Sequence, residues 1–127
     1  MSGNLVGCWY TDTGNLASST DNGNGTTTMT FTGTEHFVGC LDHDHDNVCH
    51  HRDPAGSWQT TYVFTAVFSN GTGFEISGGC IHPIVPASGT GAFTGATGTI
   101  YMTDNIPPGG APFVTSNVFG SVLLADD

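Results

Sequence analysis

Residues Gly89 to Ile100 read GTGAFTGATGTI. Glycines at 89, 91, 95 and 98, with Gly79 a little upstream, surround one aromatic ring and a set of small residues. Glycine inside a strand is conformationally costly, so its repetition marks bulges, bends or the close approach of another backbone. Small antiparallel barrels need such relief points to turn their corners. The stretch therefore predicts a strongly curved β-structure.

The segments on either side agree. Asn4 to Thr11 reads as a first strand, followed by a polar loop through Asn24 and Gly25. Thr26 to Thr32 alternates threonine with Met29 and Phe31, the period of a half-buried strand. Gly33 and Thr34 predict a tight turn into Glu35 to Leu41, completing a hairpin. Ser57 to Phe68 is a long strand with Trp58, Tyr62, Phe64, Ala66 and Phe68 on one face, and Asn70-Gly71 turns it. Gly73 to His82 follows, with a bulge expected at Gly78-Gly79 and an end at Pro83 and Pro86. Ala92 to Thr103 and Phe113 to Leu124 supply the last strands, joined by the proline- and glycine-rich run from Ile106 to Pro112. The count is roughly seven or eight short strands. The expected fold is all-β, an eight-stranded antiparallel barrel forming one domain over residues 1–127.

Composition narrows the partners. Eleven acids face a single cation, Arg52, for a formal net charge of -10. A surface so poor in cations cannot neutralise phosphates, which argues against nucleic acid and against an anionic membrane surface as partners. It repels anions and concentrates cations instead. Only 9% of residues are charged, too few for the densely charged surface of a salt-adapted protein. Cys8, Cys40, Cys49 and Cys80 allow three pairings. Cys40 and Cys49 flank the polar loop and are the pair expected to join, with four reduced thiols as the alternative. The chain starts without a basic, apolar leader, and no run is apolar enough to span a membrane.

The order of GFEISGG, CIHPIV, GTGAFTGATG and a final SVLLA resembles the second half of dirigent proteins and allene oxide cyclases, and FVGCLD resembles small bacterial barrels of the same superfamily. The resemblance implies an eight-stranded barrel with a ligand-sized cavity. It also implies a dimer or trimer, and members that cyclise reactive polyunsaturated intermediates or steer radical coupling. The plant enzymes' catalytic residues have no one-to-one match here, and the histidine-rich insertion departs from their pattern.

That insertion, DHDHDNVCHHRD from Asp42 to Asp53, is the sharpest polar cluster. Asp42, Asp44, Asp46 and Asp53 fall at positions 1, 3, 5 and 12 of a calcium loop, and Asn47 tolerates the left-handed turn at position 6. The interleaved His43, His45, His50 and His51, with Cys49, suit zinc, copper or nickel equally. A bound Ca²⁺ or Zn²⁺ is therefore a candidate, although no cofactor is required by the fold. The alternative is a solvated hairpin loop.

Glu35 and Glu75, the chain's two glutamates, both fall in expected strands beside aromatic residues. A glutamate facing an apolar cavity becomes a usable acid or base. Glu35 shares a face with Phe37 and Leu41; Glu75 shares one with Gly73 and Ser77, opposite Phe74 and Ile76. His82 before Pro83, and Tyr101, are candidate helpers, while Trp9, Trp58, Tyr62 and Phe64 are candidates to line the cavity. Each has an ordinary structural alternative, as solvent-facing acid, backbone-satisfied histidine or core aromatic. Three functions follow. The first is a cyclase or isomerase orienting a small hydrophobic or polyunsaturated substrate; the second, a non-catalytic ligand-binding or dirigent-type barrel; the third, a structural module stabilised by metal in the Asp/His loop.

Overall fold

A computed structural model describes residues 4–107 and 115–125. Seven strands form one antiparallel sheet: β1 (Asn4–Asp21), β2 (Thr26–Asp42), β3 (Ala55–Ser69), β4 (Glu75–Pro83), β5 (Thr90–Gly91), β6 (Thr97–Asn105) and β7 (Thr115–Leu123). The spatial order is β1-β2-β3-β4-β6-β7, with β5 pairing the early end of β3. The described residues contain no helix, as the threonine-rich alternation requires.

The first hairpin differs from expectation. β2 runs unbroken through Gly33, and the turn lies at Asn22 to Gly25, where Gly23 and Gly25 take positive φ (78° and 84°). Gly33 is there for close approach: a Cβ would collide with the Thr13 carbonyl and the Tyr62 ring. β1 correspondingly extends past Thr11 to Asp21, with register shifts between Thr11 and Thr13 and between Leu16 and Ser18. The β3 expectation holds, with Trp58, Tyr62 and Ala66 buried on the inner face. So does the Asn70-Gly71 turn, closed by Ser69 N–H donating to the Phe74 carbonyl.

The opening glycine stretch is only partly strand. After the two residues of β5 the chain folds inward through Phe93 and Ala96, both fully buried, before β6 begins. Positive φ at Gly91, Gly95 and Gly98 makes this path possible. Phe93 packs at 4.9 Å against Trp58 and 6.0 Å against Phe37. With Leu41, Ile84 and Ile100 they form the core that plugs one end of the sheet.

This plug is why the expected eight-stranded closed barrel is not what is observed. Chain that was to supply a wall is spent under the floor, leaving six long strands and one short one. Among the described residues β1 and β7 end the sheet without pairing each other. Between them lies an apolar groove of about 440 Å³, walled by Leu5, Trp9, Val118 and Val122 over Phe37 and Ile100. The turn expected from Ile106 to Pro112 lies mostly outside the described residues, as does the C-terminal acidic pair.

Candidate functional site

The concave face of the sheet carries a polar layer above the apolar plug. On β2, Glu35 follows the alternation of Phe31, Gly33 and Phe37 and so points inward. Register places it opposite Thr60 of β3. His82 of β4 lies beside Tyr62 of β3, with ring centroids 6.3 Å apart, and 5.2 Å from the Trp9 ring. His82 Nδ1 stands 3.0 Å from Glu35 Oε2, the histidine 2% and the glutamate 14% exposed. The approach is off the line a hydrogen bond needs, so both imidazole nitrogens remain without a hydrogen-bonded protein partner. Thr60 Oγ1 in this layer and Trp58 Nε1 in the plug are likewise buried and unpartnered. Buried polar atoms without partners are costly, and their clustering marks a place built for something other than packing.

Above this layer the face opens into a cavity of about 460 Å³ lined by Phe31, Tyr62, Phe64, Phe68, Glu35 and Cys80. Burial, then the neighbouring Glu35, raises the Tyr62 phenol above its ordinary value, so it stays a neutral donor. Burial also pushes the Cys80 thiol up to about 12, with Asp104, Glu35 and Glu75 adding to the effect. Cys80 is thus an inert wall rather than a nucleophile.

Glu75 belongs to a second acidic feature at the rim. The bulge of β4 is at Ile76, not at Gly78-Gly79: Val67 pairs Ser77 while Phe68 pairs Glu75. The extra residue turns Glu75 from the Ser77 face to that of Gly78. Gly78 then leaves room for two carboxyls to meet, since a Cβ there would lie 3.1 Å from both Glu75 Cδ and Asp104 Oδ2. Burial first, then the neighbouring Asp104 carboxyl, pushes Glu75 up to about 7. Asp104 was missed from sequence, although it shares the inward alternation of Ile100 and Met102 in TIYMTDN; an acid on such a face was the available signal.

Tyr101 is not brought to the cavity. It faces outward, 39% exposed, and stacks on Phe119 at 5.5 Å. Of the expected lining residues, Tyr62 and Phe64 line the cavity, Trp9 flanks His82, and Trp58 belongs to the apolar plug.

In the Asp/His loop, Cys40 and Cys49 form a disulfide, which removes Cys49 from any ligand set. Two groups of donor atoms converge within 4.8 Å: Asp42, Asp44 and Asp53, and Asp44, Asp46 and His50. His43 and His45 belong to neither group. Much of the loop's carboxylate capacity is spent locally. The N–H groups of His45 and Asn47 donate to the two oxygens of buried Asp42 (2.9 and 2.8 Å), and His50 N–H donates to Asp53. His45 and Asn47 reach this geometry with positive φ, as anticipated for Asn47. Asp46 sits 2.6 Å from His50 Nε2, a hydrogen bond that lowers the acid's pKa and raises the base's. Arg52 is paired with Asp44.

No family model, curated protein or solved structure matches the chain.

Proposed function

We propose that the chain is a small-molecule isomerase or cyclase whose open half-barrel holds its substrate above Glu35 and His82. The observation that carries this reading is the buried Glu35–His82 contact at 3.0 Å beneath an aromatic cavity. Glu35 presents a carboxylate that can take a proton from a carbon acid in the cavity. His82, packed between Trp9 and Tyr62, stands behind it to balance charge as the proton moves. The neutral Tyr62 phenol, a wall residue of the cavity, would donate to an oxyanion developing on the substrate. The cavity's apolar walls supply orientation. This chemistry is consistent with the family resemblance in the glycine-bearing strands, and a non-catalytic binder is the reading it displaces.

A generic carbon acid tests it. 5-Nitrobenzisoxazole opens by a single proton abstraction, so its rate reports a base in an apolar site. The folded protein should exceed the rate of an equal concentration of acetate, and Glu35→Gln should remove roughly 100-fold of that rate or more. Turnover no faster than acetate, or equal in Glu35→Gln with its circular dichroism unchanged, overturns the assignment. If the protein still binds the neutral fluorophore N-phenyl-1-naphthylamine, the binder reading replaces it.

A cation held by the Asp42–Asp53 loop is a separate reading, supported by the convergence of Asp42, Asp44 and Asp53. Elemental analysis after dialysis against chelator-free buffer, then against Ca²⁺ or Zn²⁺, decides it: less than stoichiometric uptake rejects the site.

A further inference from the structure

Carboxyls outnumber basic groups around the cavity. Glu35 lies in its wall. Phe68, another wall residue, is the cross-strand partner of Glu75, and Glu75 meets Asp104 across Gly78. The thiol of Cys80, also in the wall, feels all three carboxyls. Glu75 Oε2 is buried with no hydrogen-bond partner. Among the described residues the one group beside the cavity able to carry positive charge is His82, 3.0 Å from Glu35 on the side away from the opening; the chain has no lysine, and Arg52 is at the opposite end of β2 and β3, paired with Asp44. The remaining walls are Thr11 and the rings of Phe31, Tyr62, Phe64 and Phe68.

From this arrangement we infer that the cavity selects an organic cation, a guest with a protonated amine or quaternary ammonium group on a small apolar body. Aromatic rings attract a cation through their quadrupole, and the attraction grows when water is partly excluded. A carboxylate in a partly buried site interacts with such a cation far more strongly than it would in bulk water. The same cavity disfavours a carboxylate or phosphate, which would meet Glu35 in the wall, with Glu75 and Asp104 beyond it and His82 alone to offset them. An uncharged guest gains the apolar contacts alone. The volume of about 460 Å³ fits a group of drug-fragment size or a little larger. This inference rests on the reading that the cavity receives a guest and is independent of the proton-transfer step.

Three probes of one shape separate the possibilities: choline, its uncharged isostere 3,3-dimethylbutan-1-ol, and the anion 3,3-dimethylbutanoate. Titrations followed by amide chemical shifts should show choline binding about 10-fold more tightly than the alcohol, with no saturable shift from the anion. Phe64→Leu, which keeps bulk and removes the ring, should cut the preference for choline about 5-fold while leaving the alcohol's affinity within twofold. Equal affinities for choline and the alcohol, preference for the anion, or no saturable binding by choline overturns the inference. Equal affinities with 5-nitrobenzisoxazole turnover intact sink the cation selectivity alone. A choline preference with no turnover sinks the proton-transfer reading alone.

Discussion

Replacing Asp104 with asparagine isolates the carboxyl pair that Gly78 makes room for. Glu75 titrates at about 7 in the folded chain against an ordinary 4.5. The native state therefore binds this proton more tightly than the unfolded state does. The stability so gained is complete below about 4.5 and is lost as pH rises through about 7. At full weight that difference corresponds to roughly 3 kcal/mol. Glu75 and Asp104 are only partly buried, so screening by solvent reduces it to about 1–2 kcal/mol. Asp104→Asn removes the like charge and keeps an oxygen for the Ser116 hydroxyl, which donates to Asp104 at 2.9 Å. Burial of Glu75, the first cause of its raised value, remains. The variant should therefore be about 1 kcal/mol more stable than the parent at pH 8. Near pH 4.5 the two should be nearly equal, with a shallower decline between. Urea denaturation followed by tryptophan fluorescence at four or five pH values measures this directly. A parent whose stability is flat or rising from pH 5 to 8, or a variant with the same slope, would refute the account of Glu75 as an acid held protonated by burial and Asp104.

Other perturbations test the frame that holds the site. Phe93→Ala removes a fully buried ring stacked edge-on to Trp58 and should cost about 3–5 kcal/mol in the urea midpoint analysis; a loss under 1 kcal/mol would mean the inward plug is not what packs the floor. Cys40→Ser with Cys49→Ser opens a bridge of sequence separation 9, worth about 2.5 kcal/mol from loop closure. Dithiothreitol should lower the parent's melting temperature and leave the double variant's unchanged. The proton-abstraction and ammonium-selectivity experiments complete the set.

What could be read from the chain follows how local the governing physics is. The alternation in Ser57 to Phe68, the Asn70-Gly71 turn and the nearness of Cys40 to Cys49 each depend on a few neighbouring residues, and each is found in the fold. The face that Glu35 shares with Phe37 was legible for the same reason, but that this face is the inner one was not, since the expected turn at Gly33 cut Glu35 off from Phe31 and a solvent-facing glutamate fitted equally well. Gly33 misled because a turn and a close approach use the same residue; the reason for it lies in Thr13 and Tyr62, on two other strands. The Ile76 bulge reversed the face of Glu75 by adding one residue, and no local pattern announces which residue will be the extra one. Its partner Asp104 comes from β6, and Ala92 to Ala96 dips inward because the end of the sheet is otherwise empty. Both are decisions of the assembled molecule. The expectation of a closed wall failed at the same point.

Among the described residues the outer margins of β1 and β7 are unpaired, and this has a colloidal consequence. Bare strand margins are templates on which identical molecules stack. A formal charge of -10 makes copies of this chain repel before their margins can meet. That guard is electrostatic and reaches only about 8 Å at physiological ionic strength. Solubility in this molecule therefore depends on salt and on acidification, since either one disarms the repulsion while leaving the adhesive margins in place.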